Sequence, residues 1–166
     1  LIEKLSPLAY NDEQLYLAAE TAVDTYKDIR FTSDHMAVLG AVGILPMNQL
    51  IHAGYMKNTL HWIWDNWNWD KTWGWDYPMT AMNAARMGEP EKAVSALLMD
   101  KRTNTYLANG HNYQDGRLRI YLPGNGGLLT TVAMMCAGWD GSEGNNPGFP
   151  KDGKWNVRWE GLQPLP

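Results

Sequence analysis

Six of the nine tryptophans, Trp62, Trp64, Trp67, Trp69, Trp73 and Trp75, fall within fourteen residues and are interleaved with Asp65, Asp70 and Asp76. Indole faces stack on the apolar C–H faces of sugar rings while nearby carboxylates accept hydrogen bonds from hydroxyls, so this mixture suits carbohydrate recognition. At least two of the six are expected to face a sugar; Trp62, at helical spacing, is expected to pack in a core instead. Trp67, Trp69, Trp73 and Trp75, together with Tyr77, are the candidate sugar-binding aromatics. Asp76 lies between Trp75 and Tyr77. Desolvation between aromatic faces would raise its pKa, as a general acid requires, whereas the N-terminus of a following helix would lower it. A plain helix N-cap is the alternative reading of the same residue.

His35 and His111 are candidate hydrogen-bonding ligands, and His52 and His61 are expected to be structural. No His pair has the spacing of a metal site, and the pairs Asp115-Gly116, Asp140-Gly141 and Asp152-Gly153 do not form a calcium loop, so no metal or other cofactor is expected. Pro123-Gly-Asn-Gly-Gly127 lacks the glycine spacing and the Lys of a phosphate loop; its glycines suit a close backbone approach to a ligand or a helix. No nucleophile elbow of the Gly-x-Ser-x-Gly kind is present. Cys136, in an apolar run, reads as a small core residue.

The 166 residues are 45% hydrophobic, enough for one domain with a packed core. A net charge of -4 argues against nucleic acid as a partner. No run of about 18 apolar residues exists to span a membrane. The aromatics are nine Trp and eight Tyr against two Phe, a bias toward rings that carry a polar handle. A first residue of Leu suggests a processed chain or a piece of a longer one.

Several elements must hold these residues. Leu15, Ala18, Ala19, Ala22, Val23, Tyr26 and Ile29 predict a helix over 13–29, although Gln14 to Leu17 also alternates like a strand. Ser33-Asp34 offers an N-cap to an apolar helix over 36–45, buried all round and ended by Pro46. Short helices are predicted from Pro46 to about Tyr55 and from Lys57 to about Trp64, then a loop over 65–76. Pro78 to Met87 and Pro90 to Met99 make a helical hairpin joined at Gly88. Residues 101–119 read as loop, Leu128 to Ala137 as a last helix, and the alternation Trp155-Asn-Val-Arg-Trp159 as a terminal strand. Stacked helical hairpins build toroids or solenoids whose ligand sites sit on the loop-bearing end. The fold expected is mainly α, with residues 1–139 in a partial (α/α) toroid and 140–166 as connector and β tail.

Four blocks in order, Asp34 to Leu50, Gly74 to Gly88, Asn104 to His111 and Leu122 to Gly127, cover about 100 residues. In series they resemble the carboxy-terminal half of the catalytic domain of glycoside hydrolase family 95, inverting fucosidases and galactosidases of the six-hairpin (α/α)6 toroid superfamily. That resemblance implies a glycoside hydrolase-like protein acting on glycans or polysaccharides, with a periplasmic or extracellular location. His35, Trp75, His111 and Asn125 match positions of the family's motifs. The family's catalytic base does not carry over, because Pro123 stands in its slot, and the family's general-acid Glu belongs to an upstream segment with no counterpart here. The resemblance therefore implies the remainder of a parent catalytic domain as partner, with Asp76 and Asp115 as the local candidates for catalytic carboxyls. The isolated chain is then expected to be inactive. The alternatives are a carbohydrate-binding or scaffold toroid without catalysis, and a purely structural helical repeat.

Overall fold

The computed structural model describes residues 5–166, and the chain is mainly helical. Its α-helices are α1 (Ile29–Thr32), α2 (Ala53–Asn66), α3 (Asp76–Arg86), α4 (Pro90–Leu97) and α5 (Leu122–Ala137). Short 3-10 turns occupy Ala37–Val42, Trp69–Lys71 and Arg102–Asn104. A small antiparallel hairpin joins β1 (Thr105–Tyr106) to β2 (Asn112–Tyr113) in the register Thr105 to Tyr113 and Tyr106 to Asn112. No helix among the described residues is long and apolar enough to cross a membrane.

Helix α3 is the centre of the molecule. Every residue from Asp76 to Ala85 is buried, and α4, α5 and the 37–42 turn all pack on it. The small side chains Ala81, Ala84 and Ala85 permit that close approach from several sides. The predicted hairpin of α3 and α4 is present. Gly88, at φ +75°, supplies the left-handed turn, with the Gly88 N–H on Ala85 O (3.1 Å) and the Glu89 N–H on Ala84 O (2.9 Å), and Pro90 opens α4.

Elsewhere local chemistry overrode periodicity. The helix expected over 13–29 is instead a chain of turns, because side chains capture the backbone. Asn11 Oδ1 accepts the N–H groups of Glu13 (3.1 Å) and Leu15 (2.9 Å), and the Thr25 hydroxyl donates to Ala22 O (2.6 Å) while accepting from Ala18 N (3.1 Å). Only Ile29–Thr32 is helical there. The apolar run after His35 forms a 3-10 turn, not an α-helix, and is not buried all round. Its buried residues Met36, Leu39 and Val42 repeat every three positions, the 3-10 period, while Ile44 (52% exposed) and Leu45 (58%) face out. Gly43 is held against α3, where a Cβ would lie 3.0 Å from Met79 O. Asp34 does not cap this turn, whose N-cap position is Met36.

Residues 46–52 are not helical, and the second of the two predicted short helices extends instead to fourteen residues as α2, burying Met56, Thr59, Leu60 and Ile63 on one stripe. Helix α5 starts at Leu122, six residues before the expected start, so the glycine-rich segment lies inside the helix. Gly127 is needed there because a Cβ would come within 2.7 Å of Pro78 Cγ. Gly126 has open space. Gly126→Ala is therefore expected to raise the unfolding free energy by about 0.5–1 kcal/mol in a denaturant titration. No gain would mean that the first turns of α5 are not helical in solution. The terminal strand at Trp155 to Trp159 is absent; these residues have no ladder partner among the described residues, and the tail rejoins the body by a single parallel bridge of Leu165 with Trp139. Cys136 is buried and unpaired, as a core residue should be.

Candidate functional site

The loop from Thr72 to Trp75 delivers Asp76 to the first position of α3. Gln114, just beyond β2, supports that loop: its Oε1 accepts the Gly74 N–H at 3.0 Å and its Nε2 donates to Thr72 O at 3.4 Å. The Tyr77 hydroxyl, between Thr72 (3.0 Å) and Thr103 (2.7 Å), ties the same loop to the turn before β1.

Asp76 is fully buried. Burial pushes its carboxyl up to about 6 from the ordinary 3.8, against the lowering effect of the Trp73 N–H, which donates to Oδ2 at 2.7 Å. Of the two opposing influences legible in the sequence, desolvation wins. Trp75, not Asp76, occupies the N-cap position.

His35 Nδ1 lies 3.2 Å from both carboxyl oxygens of Asp76 and accepts the Trp75 indole N–H at 2.8 Å. An indole nitrogen only donates, so Nδ1 is a lone pair and the neutral ring carries its proton on Nε2. A lone pair facing an ionised carboxylate is repulsive; a proton on Asp76 relieves it. Geometry and burial thus point the same way, to a carboxylic acid held against imidazole. Asp34 Oδ1 lies 3.7 Å from the opposite ring nitrogen of His35, and its side chain is 63% exposed. Trp75→Phe keeps a ring in place and removes the N–H. It frees Nδ1 to be protonated beside an ionised Asp76, so the Asp76 titration midpoint is expected to fall, measurable by carboxyl carbon NMR.

Around the buried acid stand four half-buried rings. His35 is 5.5 Å from Trp73 and 4.9 Å from Trp75 between centroids, and Trp73 is 5.7 Å from Tyr121. Burial, with the charges of Asp76 and Asp34, raises the Tyr121 phenol to about 12. Hence Asp34, His35, Trp73, Trp75, Asp76 and Tyr121 form one cluster.

The other sequence-predicted residues lie outside it or serve packing. Trp67 and Trp69 are core residues, 6% and 9% exposed, with their indole N–H groups on Asp34 O (3.1 Å) and Trp64 O (3.2 Å). Trp69 stacks on the wholly buried Tyr77 at 5.8 Å. None of these three rings is free to take a sugar, so their assignment as sugar-binding aromatics is corrected. Asp115 is a turn residue: its Oδ1 accepts the N–H groups of Arg117 and Leu118, each at 2.8 Å, and these bonds hold its carboxyl below the ordinary value. A carboxyl so stabilised in its charged form is a poor proton donor, which removes Asp115 as a general acid. Asn125 clamps α5 to the β-hairpin, accepting from Asn112 N (2.9 Å) and donating to Gly110 O (2.8 Å). His111 sits at the hairpin turn with Nδ1 buried and without a partner among the described residues. Neither His111 nor Asn125 hydrogen-bonds to the Asp76 cluster.

Sequence reasoning passed over Asp34, read as a cap, and Tyr121 and Gln114, for which no motif gave a signal. A cleft of about 390 Å³ lies elsewhere, beside Tyr26 and Trp62. No family model matches the chain, and no curated protein or solved structure matches it either.

Proposed function

We propose that the chain is the carboxy-terminal part of a glycoside hydrolase-like (α/α) toroid protein acting on glycans or polysaccharides outside the cytoplasm, with Asp76 as its proton-donating carboxyl. One observation carries this reading: a wholly buried aspartate, raised to about 6, set among half-exposed Trp73, Trp75 and His35. A carboxyl that holds its proton up to about pH 6, well above the ordinary carboxylate range, is what leaving-group protonation needs, and Trp73 and Trp75 offer ring area for a sugar beside it. The remainder of the parent catalytic domain would supply the second carboxyl and close the barrel.

A sugar-binding protein without catalysis is the second reading. It is favoured by the place of Asp115, whose carboxyl is spent on its own turn, and by Pro123 in the first turn of α5 where the resemblance calls for a base. Binding and turnover separate the two. Trp73→Ala and Trp75→Ala are each expected to weaken saccharide binding, read by titration calorimetry, while the unfolding midpoint moves little because both rings are only half-buried. Unchanged binding in both variants removes the sugar-facing reading. Turnover of aryl glycosides is expected from the protein carrying the whole barrel and not from this 166-residue chain alone; turnover by the chain alone would contradict the shared-barrel reading.

A further inference from the structure

We infer that the 390 Å³ cleft between the turns of residues 10–27 and helix α2 is a second saccharide site, for a neutral sugar of one or two rings, separate from the Asp76 cluster. Its volume lies at the low end of the roughly 300–1,000 Å³ range of small-ligand pockets.

One wall is aromatic. Tyr26 and Trp62 meet edge to face with centroids 4.5 Å apart. The Tyr26 hydroxyl donates to Tyr16 O, which fixes that ring from behind. Trp62 is half-buried, and its indole N–H makes no hydrogen bond among the described residues. It therefore offers both a partial face and a donor. Leu17 and Val23 continue the apolar lining.

The rim is polar and of mixed sign. Asn11 spends its Oδ1 on the backbone of Glu13 and Leu15, leaving its amide N–H groups available. Asp12, Glu13 and Lys27 also line the cleft, and none of the three forms an ion pair or side-chain hydrogen bond among the described residues. Two carboxylates disfavour phosphate, sulfate or a sugar acid, and an ammonium in the same rim disfavours a dedicated cation cage. Interleaved donors and acceptors beside an apolar ring face are what a polyol requires, because each hydroxyl both gives and accepts. The site shares its ligand class with the proposed function but stands without Asp76 chemistry.

The test is titration of the chain, followed by NMR, with galactose, fucose, lactose and cellobiose, and in parallel with sodium phosphate and choline. Saccharide-dependent shifts at Trp62 and Tyr26 are expected with at least one sugar and with neither ion. Trp62→Ala is expected to weaken that binding about tenfold or more, equivalent to about 1.4 kcal/mol. Because Trp62 also packs, the surface pair Asp12→Asn with Lys27→Met serves as a second variant: severalfold weaker binding at an unchanged unfolding midpoint supports the site. Trp75→Ala should leave the Trp62 shifts intact. Overturning results are no shift at Trp62 with any of the four sugars, binding of phosphate or choline in preference, or full affinity in the surface pair. Saccharide binding lost only in Trp75→Ala overturns this inference and keeps the proposed function, whereas loss only in Trp62→Ala does the reverse.

Discussion

Asp76→Asn is expected to make the protein more stable at neutral pH and flatten one step of its stability profile, while lowering turnover of the whole protein by about 10²–10⁴-fold. The stability sign follows from linkage. A carboxyl at about 6 when folded and 3.8 when unfolded binds its proton more tightly in the folded state. Its contribution is therefore fully present below pH 3.8 and is lost as pH rises through about 6. The whole step is on the order of 3 kcal/mol. Asn imitates the protonated acid: its oxygen can accept the Trp73 N–H and its amide can donate to His35 Nδ1, with no proton to lose. Variant and parent should thus unfold alike near pH 4 and diverge by pH 8, with the variant more stable. Comparing the two isolates Asp76 from Asp28, Asp115 and Asp152, whose lowered carboxyls destabilise both proteins equally in acid. A general acid must also be protonated to act, so turnover should fall as pH rises through about 6. Equal stability of the two proteins at pH 8 would contradict a strained buried acid, and equal turnover would remove Asp76 from the mechanism.

Gly74→Ala is expected to cost about 3 kcal/mol and to disrupt the cluster with it. A Cβ on Gly74 would lie 1.8 Å from Asn112 Oδ1 and 3.0 Å from Thr103 O. Asn112 has nowhere to go. Its Nδ2 donates to Thr103 O (3.1 Å) and Thr105 O (3.2 Å), and its Oδ1 is wedged on the other side against Gly124, where a Cβ would be 2.4 Å away. Relief must come from the loop that carries Trp73, Trp75 and Asp76, so ligand binding should weaken even where the variant still folds. Denaturant unfolding measures the first effect and calorimetry the second. Partial rescue by Gly74→Ala with Asn112→Ala would show that the clash is the cause; a loss under about 1 kcal/mol for the single variant would mean the close approach does not exist.

The contrast between Trp75 and Trp69 shows how far the sequence could be read. Both sit in the same aromatic stretch, and the residue types pointed to Asp76 and its neighbours, where Trp73, Trp75 and His35 do meet. Burial is decided by how the chain folds back on itself, so residue type alone did not say that Trp69 would stack on Tyr77, even a few positions away. The hairpin of α3 and α4 was legible because Gly88 and Pro90 act within a few residues. The failures share a cause. Asn11 and Thr25 diverted residues 11–28 into turns, and Gly124 and Gly127 turned out to be contact glycines inside α5. In each case periodicity or composition was right about apolar spacing and silent about which partner the backbone would choose. Asp34 was missed for the opposite reason: its local role as a cap was plausible, and its place in the cluster follows only from where the chain brings its neighbour His35 against Asp76.

The most direct test of the central claim is the pH titration of the Asp76 carboxyl carbon by NMR, assigned by its disappearance in Asp76→Asn and followed together with the His35 ring carbons. A midpoint of about 6 is expected, with the neutral His35 ring carrying its proton on Nε2 while Nδ1 keeps its Trp75 hydrogen bond. A midpoint at or below the ordinary 3.8 would show an ionised carboxylate paired with an imidazolium, and would contradict the buried proton donor.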